Sequence, residues 1–275
     1  WKKDNMSLVD TNWLEKNFDK VKIIDCSWHM PQTQRDGFDE YKNNHIKNAI
    51  FFDLDKNSKK DINLPHMLTD AESWENIVSN MGIKNDAQIV IYDNSNVISS
   101  CRCWYNFIYF GHNPELVHVL DGGLKKWIKE DRTTTSDLIK IIPSNYTAHE
   151  KKELVKDISQ INKNILENNF NVIDARSLER FEGRVPEPRK GLRSGSIKNS
   201  FCLPFSELIN QDHTFISKEK IHEKFKSAGH EMGKNIVFTC GSGVTASVLA
   251  LAYSLIDNKY MPTIYDGSWS EYGKN

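Results

Sequence analysis

Residues 236–252 read Ile-Val-Phe-Thr-Cys-Gly-Ser-Gly-Val-Thr-Ala-Ser-Val-Leu-Ala-Leu-Ala. The run from Ile236 to Thr239 has the length and apolar character of a buried parallel strand. Residues 246–252 are rich in Ala and Leu, which are strong helix formers. Between these two runs, Cys240 is followed by two glycines within three residues, which allow a tight turn. We therefore predict a strand, a short loop and a helix, the repeating unit of a parallel α/β sheet.

The same strand occurs earlier in the chain as Ile89-Val90-Ile91-Tyr92-Asp93, which places Asp93 opposite Cys240 at an offset of 147 residues. Three more blocks recur in the same order at nearly the same offset. Residues 21–25 match 170–174, residues 46–48 match 197–199, and residues 119–123 match 264–268. Such a series of matches indicates an internal duplication.

Two tandem α/β domains follow from this duplication, each a mostly parallel sheet flanked by helices. We expect an N-terminal domain over residues 1–135 and a C-terminal domain over residues 153–275. The segment 136–152 between them is polar and contains Pro143, so we predict that it is a linker.

The composition is that of a globular protein, with 39% hydrophobic and 27% charged residues among 275. The 36 Lys and Arg nearly cancel the 37 Asp and Glu, so the overall charge favours neither nucleic acid nor an anionic membrane as a partner. No apolar run approaches the roughly 20 residues that cross a bilayer. Residues Trp1 to Asp10 lack the apolar segment of a signal peptide.

The five cysteines form no CxxC pair, which favours reduced thiols and a cytoplasmic location. The sequence contains no dinucleotide-binding or Walker motif and no cluster of metal ligands. We therefore expect neither a cofactor nor a metal.

Cys240 lies where a parallel strand meets a helix, the edge at which α/β proteins bind ligands. Gly241 and Gly243 allow the loop amides to point inward, and together with the helix N-terminus these amides favour a thiolate. A cysteine that only fills space in the core is the alternative, but such a residue does not require two glycines beside it. A cysteine phosphatase needs an arginine six positions after its nucleophile, and this chain has Ala246 there.

The segment from Cys240 to Ala246 resembles the active-site loop of 3-mercaptopyruvate sulfurtransferases, the two-domain branch of the rhodanese superfamily. Further resemblance lies in the motifs at residues 45–46, 49–53, 65–68, 120–123, 180–181, 186–189 and 265–269. Relatives that use thiosulfate carry basic residues directly after the cysteine, where this chain has Gly241 and Ser242. The resemblance thus implies a mercaptopyruvate donor. Thiosulfate sulfurtransferase and a catalytically idle binding module remain as alternatives.

The activity implied by this resemblance is covalent catalysis in two steps. Cys240 takes sulfur from 3-mercaptopyruvate as a persulfide and releases pyruvate. A thiol such as thioredoxin or a small thiol, or cyanide in an assay, then accepts the sulfur. The resemblance implies that the first domain is non-catalytic and supplies one wall of an interdomain site.

Substrate binding is implied for three arginines and for the loop. The arginines are Arg180, Arg189 and Arg102, and the loop residues are Gly241, Gly243, Val244 and Thr245. A planar guanidinium fork suits a carboxylate, and Arg189 follows a rigid Pro-Glu-Pro turn. For Arg102 an interdomain salt bridge is the alternative role.

Proton transfer is implied for a Ser–His–Asp relay made of Ser242, His45 and Asp36. Asp39 competes with Asp36 for the acidic position, because the length of this segment varies among relatives. The alternative for His45 is a structural role in the turn between a helix and a strand.

Overall fold

The computed structural model describes residues 5–275. The prediction that Trp1 to Asp10 contain no signal peptide therefore falls partly outside the described residues. The described residues form two compact units. Unit 1 comprises residues 5–60, Leu68–Lys151 and Gln211–Phe215, and unit 2 comprises Asp61–Met67, Lys152–Asn210 and Ile216–Asn275. Each unit therefore includes a short segment from the other half of the chain.

Unit 1 contains a five-stranded sheet in the order β1-β6-β5-β2-β4, in which all neighbouring strands are parallel. Strands β3 and β7 form a separate antiparallel pair. The strands are β1 (Leu8–Val9), β2 (Lys22–Asp25), β3 (His45–Ile46), β4 (Ala49–Phe51), β5 (Ile89–Tyr92), β6 (Val117–Leu120) and β7 (Thr134–Thr135). The helices are α1 (Thr11–Asn17), α2 (Gly37–Asn43), α3 (Ala71–Asn80), α4 (Ser100–Tyr109) and α5 (Gly123–Lys129).

Unit 2 contains a five-stranded sheet in the order β10-β9-β11-β12-β8, which is also parallel throughout. Its strands are β8 (Val155–Lys156), β9 (Asn171–Asp174), β10 (Phe201–Cys202), β11 (Ile236–Thr239) and β12 (Ile264–Tyr265). Its helices are α6 (Ile158–Glu167), α7 (Leu178–Phe181), α8 (Lys218–Ser227), α9 (Val244–Ile256) and α10 (Ser268–Tyr272).

The two sheets have the same strand order when repeat-equivalent strands are compared, since β1, β6, β5, β2 and β4 correspond to β8, β12, β11, β9 and β10. The predicted fold of two α/β domains with mostly parallel sheets is thereby confirmed. Every residue of the central strands β5 and β11 is buried, as expected for strands that are covered on both faces.

Helix α9 is buried on nearly all sides, which explains its composition. Its buried residues include Ala246, Ala250 and Ala252, whose small side chains let neighbouring elements approach closely. Four other helices, α1, α2, α3 and α6, begin at aspartate caps, and at the start of α3 Asp70 accepts a hydrogen bond from the Ser73 N–H. The Ala-rich helix therefore belongs to the core of unit 2, directly after the glycine loop.

The segment predicted as a linker follows the surface of unit 1. Residues 136–151 belong to that unit, and the N–H groups of Ser144, His149 and Lys151 donate to carbonyl groups of residues 79, 110 and 109. Just before it, Thr134 and Thr135 pair with β3. Among residues 5–275, no helix combines the length and the apolar character needed to cross a membrane.

Candidate active site

The Cys240 loop connects β11 to α9 in unit 2, and its thiol is only 2% exposed. The backbone N–H of Gly243 donates a hydrogen bond to Cys240 Sγ at 3.0 Å. Gly243 has φ of +88°, a left-handed conformation that a residue with a Cβ adopts only at a cost. The glycine thus turns its amide back onto the sulfur at the helix N-terminus, where a negative charge is stabilised.

A second turn, between β12 and α10, holds this loop in place. The Ser268 hydroxyl accepts from the Cys240 N–H at 3.2 Å, and the Trp269 N–H donates to the Cys240 carbonyl at 2.9 Å. The Ser270 N–H donates to the Gly241 carbonyl at 2.9 Å. These hydrogen bonds fix the backbone of Cys240 and Gly241, so the position of the Cys240 side chain is preorganised.

Two guanidinium groups lie beside Gly241. A Cβ placed on this glycine would come within 3.2 Å of Nη2 of Arg180 and 3.4 Å of Nη1 of Arg189. Two forks so close to Gly241 form a cationic surface beside the residue that follows Cys240, and their planar geometry suits a carboxylate. The structure therefore places both sequence-predicted arginines against the predicted loop.

A buried ionic network holds Arg180. Glu187, whose side chain is 1% exposed, accepts from Nε of Arg180 at 2.7 Å and from Nη2 at 2.8 Å. The same carboxylate accepts from Arg176 Nη1 at 3.2 Å, and Arg176 forms a two-pronged pair with Asp174. Burial acts to raise the pKa of Glu187, but the hydrogen bonds and charges of the two arginines outweigh it and lower that pKa. Glu187 and Arg176 were not predicted as site residues, although Glu187 lies in the Pro-Glu-Pro-Arg motif.

The hydroxyl of Ser242 has a histidine partner, His66. Ser242 Oγ and His66 Nδ1 are hydrogen-bonded at 2.9 Å, and both residues are buried. His66 belongs to unit 2 through the Asp61–Met67 segment and has φ of +60°. The sequence analysis did not select this histidine.

The predicted relay partners His45 and Asp36 have other contacts within unit 1. The His45 ring is buried, with Nδ1 at 2.6 Å from the Tyr41 carbonyl oxygen and Nε2 at 3.0 Å from that of Asp137. Asp36 is exposed and caps α2 by accepting from the Asp39 N–H at 2.8 Å. These contacts are structural, and the histidine bonded to Ser242 is His66 instead.

The remaining predicted residues have clear positions. Val244 and Thr245 form the first turn of α9, with Val244 buried and Thr245 half-buried. Arg102 lies in α4 of unit 1, is fully buried, and has its guanidinium 5.5 Å from the centre of the Tyr105 ring.

Comparison with known proteins identifies the family. The profile of the rhodanese-like domain matches residues 10–130 and again residues 157–275. The chain belongs to the rhodanese family. The predicted tandem arrangement of this family is thus confirmed, with one match in each half of the chain.

Similar rhodanese proteins extend over nearly the whole chain. Thiosulfate/3-mercaptopyruvate sulfurtransferase 1, mitochondrial, from Arabidopsis thaliana is 36% identical, covering 96% of this chain and 75% of its own length. The 3-mercaptopyruvate sulfurtransferase of Escherichia coli K12 is 34% identical, covering 96% and 94%. The crystal structure of SseA from E. coli, described as a 3-mercaptopyruvate sulfotransferase, superimposes with a TM-score of 0.87 at 31% identity, covering 97% of this chain and all of SseA.

The first unit of this rhodanese carries a counterpart of the active-site loop in which Asp93 replaces the cysteine. The Asp93 carboxylate accepts from the N–H groups of Ser95 and Ser100, both at 2.9 Å, and burial raises its pKa. His213, from the Gln211–Phe215 segment, lines the same small cavity. The offset of 147 residues that relates Asp93 to Cys240 also relates His66 to His213. This shared offset is the signal from which His66 could have been found.

Three other cysteines of this rhodanese, Cys26, Cys101 and Cys202, have environments that favour the protonated thiol. Burial raises the pKa of Cys26 and Cys101 well above the ordinary range, and it raises that of Cys202 to about 12. Only thiolates are strong nucleophiles, so these three side chains are poor competitors for sulfur. Within residues 5–275, no group of three or more His, Cys, Asp or Glu side chains is arranged to hold a metal ion.

Proposed function

We propose that this rhodanese transfers sulfur from 3-mercaptopyruvate to Cys240 and then to a thiol acceptor. The observation that carries the proposal is the position of Arg180 and Arg189 against Gly241, beside the loop but not part of it. A donor with a single carboxylate remote from its sulfur needs its cationic partners there. The protein is in this view a sulfurtransferase with Cys240 as its nucleophile.

The first step forms the persulfide. The Cys240 thiolate bonds to the donor sulfur while the carbon–sulfur bond breaks, and the keto group takes up the electron pair as the enolate of pyruvate. The guanidinium groups of Arg180 and Arg189 bind the carboxylate and stabilise the negative charge that develops on the adjacent keto oxygen. The outer sulfur then lies at the loop whose Gly243 amide already donates to Sγ.

Protons balance within this step, because the donor thiol loses one and the enolate carbon gains one. The Ser242 hydroxyl, hydrogen-bonded to His66 at 2.9 Å, is the proton carrier beside the nucleophile. We assign to His66 the role that the family resemblance had assigned to His45.

The second step returns the enzyme to its starting state. The thiolate of the acceptor attacks the outer sulfur, the sulfur–sulfur bond breaks, and the Cys240 thiolate leaves. We propose a small thiol or a protein thiol such as thioredoxin as acceptor, and a cytoplasmic location in which such thiols are kept reduced.

Thiosulfate is the second candidate donor. Two of the plant relatives bear names that join thiosulfate with 3-mercaptopyruvate. The loop favours mercaptopyruvate, since Gly241 and Ser242 add no positive charge where a small dianion would bind.

The test is a rate assay with each donor in turn, on the unmodified protein and on Cys240→Ser, with cyanide as acceptor. We expect faster turnover with mercaptopyruvate and none in the variant. In the absence of acceptor, mass spectrometry should detect one added sulfur atom on the peptide containing Cys240. Activity that survives in Cys240→Ser would disprove the nucleophile, and a preference for thiosulfate would disprove the donor.

A further inference from the structure

We propose that Glu187 determines which donor this enzyme prefers. It positions Arg180 at the active-site loop and, at the same time, cancels one unit of positive charge there. The inference rests on the proposed function, because it concerns the choice between a donor with one negative charge and a donor with two.

The contacts of Glu187 establish its positioning role. Both carboxylate oxygens accept from Arg180, at 2.7 and 2.8 Å, in the two-pronged geometry that fixes a guanidinium plane most firmly. The donor on Oε1 is Nη2, the same nitrogen that lies nearest to Gly241. Glu187 therefore orients the very edge of Arg180 that borders the loop.

The charges around Glu187 show that its negative charge acts on Arg180. Arg176 also contacts Glu187, but Arg176 is already paired with Asp174 through three hydrogen bonds of 2.7 to 3.1 Å. The carboxylate is nearly inaccessible to water, so solvent screens its charge weakly. The charges and hydrogen bonds of the two arginines hold the pKa of Glu187 below its ordinary value, which keeps the carboxylate ionised.

The preference for one donor over the other follows from the net charge beside the loop. One unit of charge removed near the loop weakens the binding of a dianion about twice as much as that of a monoanion, because Coulomb energy scales with the product of the charges. Glu187 thus gives mercaptopyruvate an advantage over thiosulfate. Since Glu187 occupies the edge of Arg180 formed by Nε and Nη2, the edge formed by Nη1 and Nη2 is the one that binds the carboxylate of the donor.

Two variants separate the charge of Glu187 from its position. Glu187→Gln keeps the length of the side chain and one acceptor oxygen but removes the charge. Glu187→Asp keeps the charge but withdraws the carboxylate by one methylene group. For each variant, kcat and KM are measured with mercaptopyruvate and with thiosulfate at one ionic strength, and Cys240→Ser serves as the blank.

In Glu187→Gln we expect the ratio of kcat/KM for thiosulfate to that for mercaptopyruvate to rise by about tenfold. In Glu187→Asp we expect kcat/KM to fall by roughly tenfold for both donors, with their ratio unchanged. Equal losses for both donors in Glu187→Gln would overturn the proposal, as would a normal rate in Glu187→Asp.

Loss of one partner from a buried ionic network destabilises a fold, so circular dichroism of each variant accompanies the kinetics. If Glu187→Gln does not fold, Glu187→Asp still decides, because unchanged rates or an altered donor ratio in that variant would refute the inference. A failure of the proposed function would be recognised by a different result, namely that the unmodified protein is inactive with both donors.

Discussion

Substitution of Gly241 by alanine tests how closely the two arginines lie to the loop. Gly241 is outside the group of glycines with positive φ, so an alanine can adopt its backbone conformation. The new Cβ would lie 3.2 Å from Nη2 of Arg180 and 3.4 Å from Nη1 of Arg189, whereas ordinary contacts begin at 3.4 Å. The strain therefore falls on the end of Arg180, one of the two side chains that we propose bind the substrate.

The size of the effect follows from the displacement of the Arg180 guanidinium that the new Cβ requires. A displacement by a few tenths of an ångström relieves the contact. A hydrogen bond to a charged group contributes about 1.5 to 3 kcal/mol, and we take the loss from such a displacement as about 1.4 kcal/mol in total. This predicts an increase in KM for mercaptopyruvate of about tenfold. The free energy of unfolding should stay constant or rise by up to ~1 kcal/mol, since alanine restricts the unfolded chain.

The assay pairs steady-state kinetics with urea unfolding, and Gly243→Ala is the matched control in the same loop. Gly243 has φ of +88°, so alanine there should lower the free energy of unfolding by about 1 to 2 kcal/mol. It should also reduce kcat, because the amide that donates to Cys240 Sγ moves. An unaltered KM in Gly241→Ala, or a loss of stability equal to that of Gly243→Ala, would refute the placement of the two arginines beside Gly241.

Two further predictions concern His66 and Asp25. His66→Gln retains a hydrogen-bonding group for Ser242 but cannot exchange a proton at neutral pH, so kcat with mercaptopyruvate should fall by about 10² or more; an unchanged kcat would contradict the proton-transfer role. Burial raises the pKa of Asp25 from 3.8 to about 7. The folded state thus binds the proton more tightly, and this stabilisation, complete below about pH 4, is lost as pH rises through about 7. Asp25→Asn should remove that decline, and urea unfolding at about pH 5 and about pH 8 measures it; an undiminished decline would count against the prediction.

The nucleophile loop could be predicted because its signal is local. Cys240, Gly241 and Gly243 lie within four consecutive residues, and a strand and a helix flank them directly. The likeness of the two units could also be predicted, because the duplication can be found along the chain and repeated sequence folds into repeated structure.

The histidine partner could not be predicted in the same way, because it depends on a contact between residues 176 positions apart. The motif favoured His45, yet both nitrogens of its ring are hydrogen-bonded to backbone carbonyl groups, those of Tyr41 and Asp137. A motif gives the type of a residue but not its neighbours in the fold. The partner of Ser242 is His66 because the segment Asp61–Met67 packs in unit 2. The role that we propose for Glu187 could not be predicted for a related reason, since the charge balance of a site depends on the positions of all its ionised groups.

The exchange of short segments between the units has a consequence for synthesis on the ribosome. His66 emerges long before Ser242, and unit 1 still lacks residues 211–215 when its sheet is complete. Contacts between distant parts of a chain form late, because a long loop must close first. Unit 1 is therefore complete only after residues 211–215 have been made, and the pair of His66 and Ser242 only after residue 242 has been made. Residues 152–275 made alone would contain Cys240 and Ser242 but not His66, the hydrogen-bond partner of Ser242.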